Sequence, residues 1–291
     1  MSLLRETRES LRSSPFFALF VVISLAYVGL IGLMVALMAF RLNTLLPGPF
    51  AQMTHFTEPH HRVHDLTFGF LFAPAVVGIL AQLRRPAQNV AGMTMALIPW
   101  VALLLAAVLS DAFIAVVLSN PSRLAIVVTL FTALLHPSGR TFFSSVRLPR
   151  INWNLLGLVA VAAVPLLAFA ATNIQLQATV LDEHAGMGHY GFMAAFAFTV
   201  VGIGLLASLR PEGWRLAAWI AGVLPALLGL TSIVYPNVAS SLDLIWAVAA
   251  IAWGAAFIVA TEVSKNKERS VVGVRGAVPA AEGAQEIEIG R

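Results

Sequence analysis

Long apolar runs separated by short polar segments set the pattern of this chain. A membrane-spanning helix needs about 20 predominantly apolar residues, and eight runs reach or approach that length. The pattern therefore predicts an all-α polytopic membrane protein with eight transmembrane helices. The predicted spans are Phe16–Phe40, His64–Leu83, Val90–Leu109, Pro121–His136, Asn154–Thr172, His189–Leu209, Leu216–Tyr235 and Ala239–Thr261.

The fourth predicted span is the least sharply bounded of the eight. Polar residues at Asp111 and at Asn120 interrupt the apolar stretch on either side of residues 112–118. Proline is favoured at the first position of a helix, so Asn120 followed by Pro121 predicts a helix start. Residues 112–118 are then expected to form a turn at the outer surface.

Composition supports the membrane assignment and restricts the chemistry. Hydrophobic residues make up 59% of the chain and charged residues only 11%, against about 25% charged residues in an ordinary soluble domain. Cysteine is absent, which excludes disulfides, thiolate metal sites and cysteine-held iron–sulfur clusters. Any metal must be bound by His, Met or carboxylate ligands. No nucleotide-binding loop and no nucleic-acid surface is visible in the sequence.

The net charge of +4 reports membrane topology because the basic residues lie mainly between the apolar runs. Cytoplasmic connections are enriched in Lys and Arg. This rule places both termini in the cytoplasm and predicts a multi-pass protein of the inner or plasma membrane. Of the 18 Lys and Arg residues, the predicted outer side keeps only Arg41, Arg62 and Arg123.

The two halves of the chain resemble each other weakly. A constant shift along the sequence brings Glu58 onto Glu183 and His64 onto His189, which suggests two four-helix repeats related by a pseudo-two-fold axis. The second and sixth spans would then be equivalent helices. The predicted organisation is a cytoplasmic leader (1–15), repeat 1 (16–137), a cytoplasmic linker (138–151), repeat 2 (152–262) and a disordered cytoplasmic tail (263–291).

Six of the seven histidines lie in or beside two segments, residues 58–65 and 182–189, which the topology places on the outer side. His136 is the exception and is interpreted as a structural helix end. Taken singly, each histidine is better explained as a polar cap at a helix end; the cluster is better explained as a functional site, since ionisable groups near membrane depth are costly. The candidate metal ligands are His60, His64, His184 and His189, the candidate cofactor ligands are His61, His64 and His189, and the candidate catalytic carboxylates are Glu58 and Asp65.

Helical spacing refines this set. Residues four apart share a helix face, which pairs His60 with His64 and His61 with Asp65; Asp65 could also orient a ligating imidazole. His184 and His189 are five apart and do not share a face of one helix, so only His189 is expected to point into the bundle. Asp111 and Met187 are possible additional ligands.

Glu58-Pro59-His60-His61-Arg62 resembles the ExxHR pattern that opens the second helix of haem A synthases, with Glu58, His61 and Arg62 at the matching positions. That family also has a histidine early in its sixth span, where this chain has His189. The resemblance implies eight spans in two halves and a haem site. The family's partner ligands in spans four and eight have no counterpart here, which leaves a haem or a metal ion shared between spans two and six.

Three functions remain open from the sequence. The first is a redox or haem-handling protein in which His61 or His64 and His189 ligate haem or a transition-metal ion such as Fe, Cu or Zn. The second is a metallohydrolase with zinc on His60, His64 and His189. The third is a transporter or assembly factor whose outer histidines sense pH. The expected partners are the lipid bilayer and a membrane-embedded small molecule or other membrane proteins, and not nucleic acid.

Overall fold

The computed structural model describes residues 15–39, 59–83, 89–118, 120–136 and 151–276. Within these ranges the regular structure is entirely helical. A 3₁₀ turn (Pro59–His61) precedes α2, and a π-helix (Ile114–Leu118) precedes α4. The α-helices are α1 (Pro15–Ala39), α2 (Arg62–Gln82), α3 (Val90–Leu109), α4 (Asn120–Leu134), α5 (Trp153–Thr179), α6 (Glu183–Gly186), α7 (His189–Leu209), α8 (Trp214–Val234) and α9 (Leu244–Gly276).

Seven helices in the described part of the chain are long and apolar enough to cross a membrane. They are α1, α2, α3, α5, α7, α8 and α9, and α4 is a shorter apolar helix. The predicted class, an all-α multi-pass membrane protein, is confirmed.

Helix α7 lies at the centre of the described bundle. Its span is 72% buried within the protein, whereas the spans of α5 and α9 are only 22% buried. It packs against α2, α3, α5 and α8. Small residues allow close helix contacts in membranes; a Cβ added at Gly222 of α8 would lie 2.7 Å from the carbonyl oxygen of Gly254 in α9. The central position of α7 brings its first residue, His189, into the interior.

The last span differs from the prediction at both ends. It begins at Leu244 rather than at residue 239, because Ser240 adopts a positive φ angle of 60° that an α-helix does not accommodate. Asp243 then caps the helix, its Oδ1 accepting from the Trp246 amide at 3.1 Å. The helix continues to Gly276, so the predicted disorder does not begin at residue 263. Extending an existing helix avoids the cost of nucleating one.

The segment before α4 is not the predicted surface turn. Ile114–Leu118 forms a π-helix in which Val116 and Val117 are buried. Val116 occupies the space beside Gly191, where an added Cβ would meet its side chain. This segment therefore packs against the start of α7 and supports the histidine region described below.

A polar cluster joins α2, α3 and α4 at the end of the bundle opposite to His189. The His136 Nε2 lies 2.9 Å from Gln82 Oε1, and Gln82 Nε2 donates to the Asn89 carbonyl at 2.9 Å. Burial lowers the pKa of His136 to about 4. These contacts fit the interpretation of His136 as a structural helix end.

Candidate metal centre

Four histidines meet where α2 and α7 begin. His61 ends the 3₁₀ turn, His64 lies in the first turn of α2, His184 lies on the one-turn helix α6, and His189 is the first residue of α7. One ring nitrogen from each of the four lies within 4.8 Å of the others. We call these four residues the histidine cluster.

The imidazole rings of the cluster are closely spaced and largely buried. Ring centroids are 4.5 Å apart for His61 and His184, 5.3 Å for His61 and His189, 4.9 Å for His64 and His184, and 5.1 Å for His64 and His189. His61, His64 and His189 are 0%, 1% and 7% exposed, and the His184 side chain is 14% exposed. The predicted convergence of His64 and His189 is confirmed.

A chain reversal lets both His184 and His189 join the cluster. Asp182 caps α6, its Oδ1 accepting from the Ala185 amide at 2.8 Å, and Gly188 follows with a φ of 76°. The two histidines therefore lie on separate helices. The expectation that only one of them faces the bundle interior was wrong, because it assumed one continuous helix.

Asp182 also positions the ring of His184. Its Oδ2 lies 3.6 Å from His184 Nδ1 and accepts a hydrogen bond from the Tyr190 hydroxyl at 2.9 Å. Burial raises the pKa of Asp182, but the hydrogen bonds from Ala185 and Tyr190, together with the nearby His184, outweigh burial and lower that pKa overall. His184 Nε2 is buried without a hydrogen-bond partner among the described residues. The ring thus presents its Nδ1 to a carboxylate and keeps Nε2 available as a ligand.

His64 is arranged in a similar way by residues remote in sequence. Its Nε2 lies 3.1 Å from Ser240 Oγ, and Ser240 Oγ donates to Asn173 Oδ1 at 2.8 Å. His64 Nδ1 is buried and has no hydrogen-bond partner in the described ranges. Two of the four rings therefore carry a buried nitrogen with no described partner, and each is held at its other nitrogen.

The other residues predicted for the site are not members of the histidine cluster. His60 is exposed and is not one of the four residues gathered, although its ring centroid is 4.3 Å from that of His61. Asp65 is buried, and its Oδ2 accepts no hydrogen bond from the described residues. Glu58 lies outside the described residues. Asp111 is exposed in the turn after α3, and Met187 is the C-cap residue that follows α6; neither is one of the four gathered residues.

Three positioning residues were not predicted from the sequence. Ser240 and Asn173 are both far from His64 in the sequence, and Tyr190 has the position of an interfacial aromatic residue. A serine in a loop and an asparagine in an apolar helix carry no spacing signal that links them to a histidine. These side chains meet only in the folded protein, where the loop before α9 places Ser240 between His64 of α2 and Asn173 of α5.

The donor set suits a single transition-metal ion. Imidazole is a preferred ligand for zinc, copper and iron. In a tetrahedral site the four nitrogens would stand about 3.4 Å apart, given metal–nitrogen bonds of about 2.0–2.1 Å. The 4.8 Å limit of the cluster is slightly wider than this arrangement and lies within reach of small side-chain rotations. Outer partners such as Asp182 and Ser240 are the usual means of orienting histidine ligands.

Comparison with known proteins adds no assignment. No family model, curated protein or solved structure matches this chain. The chemistry of the histidine cluster therefore carries the functional argument.

Proposed function

We propose that this membrane protein binds one transition-metal ion through His61, His64, His184 and His189. The observation that carries the proposal is that four imidazole nitrogens from three separate helical segments and a 3₁₀ turn lie within 4.8 Å of one another. Gathering four imidazoles in a largely buried position has no value for packing, because removing polar groups from water costs free energy. A bound cation would compensate that cost at all four rings.

A metal ion fits this arrangement better than a haem. A haem between two axial histidines would need the other two rings to leave the space that the macrocycle fills, because the four centroid separations across the cluster are only 4.5 to 5.3 Å. An ion requires no such movement. The resemblance to haem A synthases at Glu58, His61 and Arg62 therefore favours a shared site between the same two helices, but with an ion as its occupant.

A closed four-nitrogen site favours a redox role over hydrolysis. Catalytic zinc sites keep one coordination position open for water. Four protein ligands would occupy all the coordination positions of a tetrahedral ion. Asp65, a candidate catalytic carboxylate, is not among the residues gathered with the four histidines. Copper and iron both accept imidazole ligands, and when bound they would supply one-electron chemistry. The role of the protein would be to hold the ion in a dry, fixed site.

We further propose that the cluster lies at the outer membrane face and that α4 provides an eighth crossing. Arg210 and Arg215 lie at the opposite end of the bundle from His189, on either side of the turn between α7 and α8. Basic residues favour the cytoplasmic side. Helices α2 and α7 both begin at the cluster, as expected from two repeats, and an even number of crossings would leave both termini in the cytoplasm.

The test is metal analysis and an absorption spectrum of the protein purified in detergent. We expect about one equivalent of copper or iron and no Soret band. His189→Gln should lose the metal, whereas His136→Gln, which removes a buried histidine at the other end of the bundle, should retain it. Protein that neither contains nor takes up copper, iron or zinc contradicts the site. A Soret band contradicts the bare ion, and stoichiometric zinc contradicts the redox role.

A further inference from the structure

We infer that Asn173 and Ser240 fix the tautomer of His64, so that Nδ1 of this histidine is the metal-binding atom. This inference rests on the proposed metal site and adds two positioning residues to it. Neither residue belongs to the histidine cluster. A chain of hydrogen bonds runs from the Phe169 carbonyl through Asn173 and Ser240 to the imidazole ring of His64.

The orientation of the Asn173 amide is set first. Its Nδ2 lies 2.9 Å from the carbonyl oxygen of Phe169, and a backbone carbonyl can only accept a hydrogen bond. The amide nitrogen must therefore face Phe169. The amide oxygen, Oδ1, then faces Ser240, and it can only accept.

The direction of the Ser240 hydroxyl follows from this acceptor. Ser240 Oγ lies 2.8 Å from Asn173 Oδ1, and a hydroxyl has one hydrogen to donate. That hydrogen is used on Asn173. Toward His64 Nε2, at 3.1 Å, Ser240 can act only as an acceptor. The histidine must therefore be the donor at Nε2.

The hydrogen bond to Ser240 determines the tautomer of His64. A neutral imidazole carries its proton on one nitrogen and a lone pair on the other, so a proton on Nε2 leaves the lone pair on Nδ1. Nδ1 is also the buried nitrogen of this ring that has no hydrogen-bond partner among the described residues. The side chain is only 1% exposed. Because a metal ligand must be an unprotonated nitrogen, the relay prepares His64 to bind through Nδ1.

The backbone at Ser240 indicates that this hydroxyl is held there at a cost. Its φ is 60°, in the left-handed region where non-glycine residues are uncommon. Glycine would adopt this conformation without strain but would supply no hydroxyl. Backbone strain of this kind often occurs where a side chain must be aimed at a site. Ser240 meets that description, since it contacts both His64 and Asn173.

The first test reads the tautomer directly in the metal-free protein. Nitrogen-15 NMR of histidine-labelled protein distinguishes the two neutral tautomers, and comparison with His64→Gln assigns the signal. We expect wild-type His64 to be protonated on Nε2. A wild-type His64 protonated on Nδ1 would overturn the inference. This readout does not depend on metal binding, so it separates failure of the relay from failure of the metal site.

The second test reverses the relay without touching His64. Asn173→Ala releases the Ser240 hydroxyl to donate to Nε2, which should shift His64 toward the Nδ1–H tautomer and weaken Cu²⁺ or Zn²⁺ binding by about 10- to 100-fold, the usual effect of losing an outer partner. Asn173→Asp keeps an acceptor for the hydroxyl and should preserve the wild-type tautomer. An unchanged tautomer and affinity in Asn173→Ala would overturn the inference.

Two serine variants control for damage to the loop. Ser240→Gly removes the hydroxyl while its backbone suits the positive φ, so reduced affinity in a stably folded variant would be due to the lost hydrogen bond. Ser241→Ala is the matched control, because the Ser241 hydroxyl donates to the Val238 carbonyl at 2.8 Å within the same loop. We expect Ser241→Ala to keep the wild-type tautomer and affinity. Equal losses in both variants would contradict a specific role for Ser240.

Discussion

Substituting Gly188 should change the positions of the four histidines without removing any of their imidazole rings. This glycine connects α6 to α7 with a φ of 76°, and it lies between His184 and His189 without supplying a ligand. A Cβ added there would lie 2.5 Å from the Ala115 carbonyl oxygen. Gly188→Ala therefore keeps all four imidazoles but disturbs the turn that brings two of them together.

The size of the effect can be estimated from the backbone alone. A left-handed conformation costs a non-glycine residue roughly 1–2 kcal/mol, and the contact with Ala115 forces an additional shift of α7 or of the π-helix. If the protein relieves this strain by moving His189 away from the other ligands, the backbone cost corresponds to a loss of metal affinity of about 5- to 30-fold, at about 1.4 kcal/mol per factor of ten.

The assay is metal affinity by competition with a chromogenic chelator, together with thermal unfolding followed by the fluorescence of the six tryptophans. Gly186→Ala is the matched control, because an added Cβ at Gly186 meets nothing within 4 Å. We expect weaker metal binding and a lower unfolding temperature for Gly188→Ala, and wild-type behaviour for Gly186→Ala. Wild-type affinity in Gly188→Ala would refute the role assigned to this turn.

Three further predictions test separate parts of the structure. Asp182→Asn keeps a capping oxygen but removes the charge beside His184, and it should weaken metal binding by about tenfold in the same competition assay. Gly222→Ala should destabilise the protein by about 1–3 kcal/mol through overpacking, measured as a lower unfolding temperature, with metal content unchanged. The pKa of His136 is lowered to about 4, because the folded protein favours its neutral ring. The stability that the neutral ring contributes is therefore complete above pH 6.5 and declines toward pH 4. His136→Gln should accordingly lose less stability than the wild type on acidification. An acid profile identical to that of the wild type would contradict this assignment.

Hydrophobic patterning predicted the ends of those helices that begin and end where the sequence changes from polar to apolar. Val90–Leu109 and His189–Leu209 were predicted to the residue, since polar or turn-forming residues flank each apolar run. The π-helix at Ile114–Leu118 and the start of α9 at Leu244 were missed. The π-helix packs against the start of α7, and the start of α9 follows a positive φ angle at Ser240. A hydropathy window registers neither feature.

The histidines themselves were visible in the sequence, but their arrangement was only partly predictable. Counting residues four apart selected His60 with His64, whereas the structure gathers His61 with His64 because a 3₁₀ turn ends at His61. His184 was among the candidate metal ligands, but it was expected to point away from the bundle interior, because one continuous helix was assumed. Ser240 could not be found, since its relation to His64 depends on how distant helices pack.

The most direct test of the central claim is X-ray absorption spectroscopy at the metal edge of the purified protein. We predict a coordination shell of four nitrogen donors at about 2.0–2.1 Å, with the outer-shell scattering of imidazole rings. His64→Gln and His189→Gln should each lower the number of imidazoles or abolish metal binding. A shell of oxygen donors alone, or the scattering of a porphyrin macrocycle, would contradict a metal ion held by the four histidines.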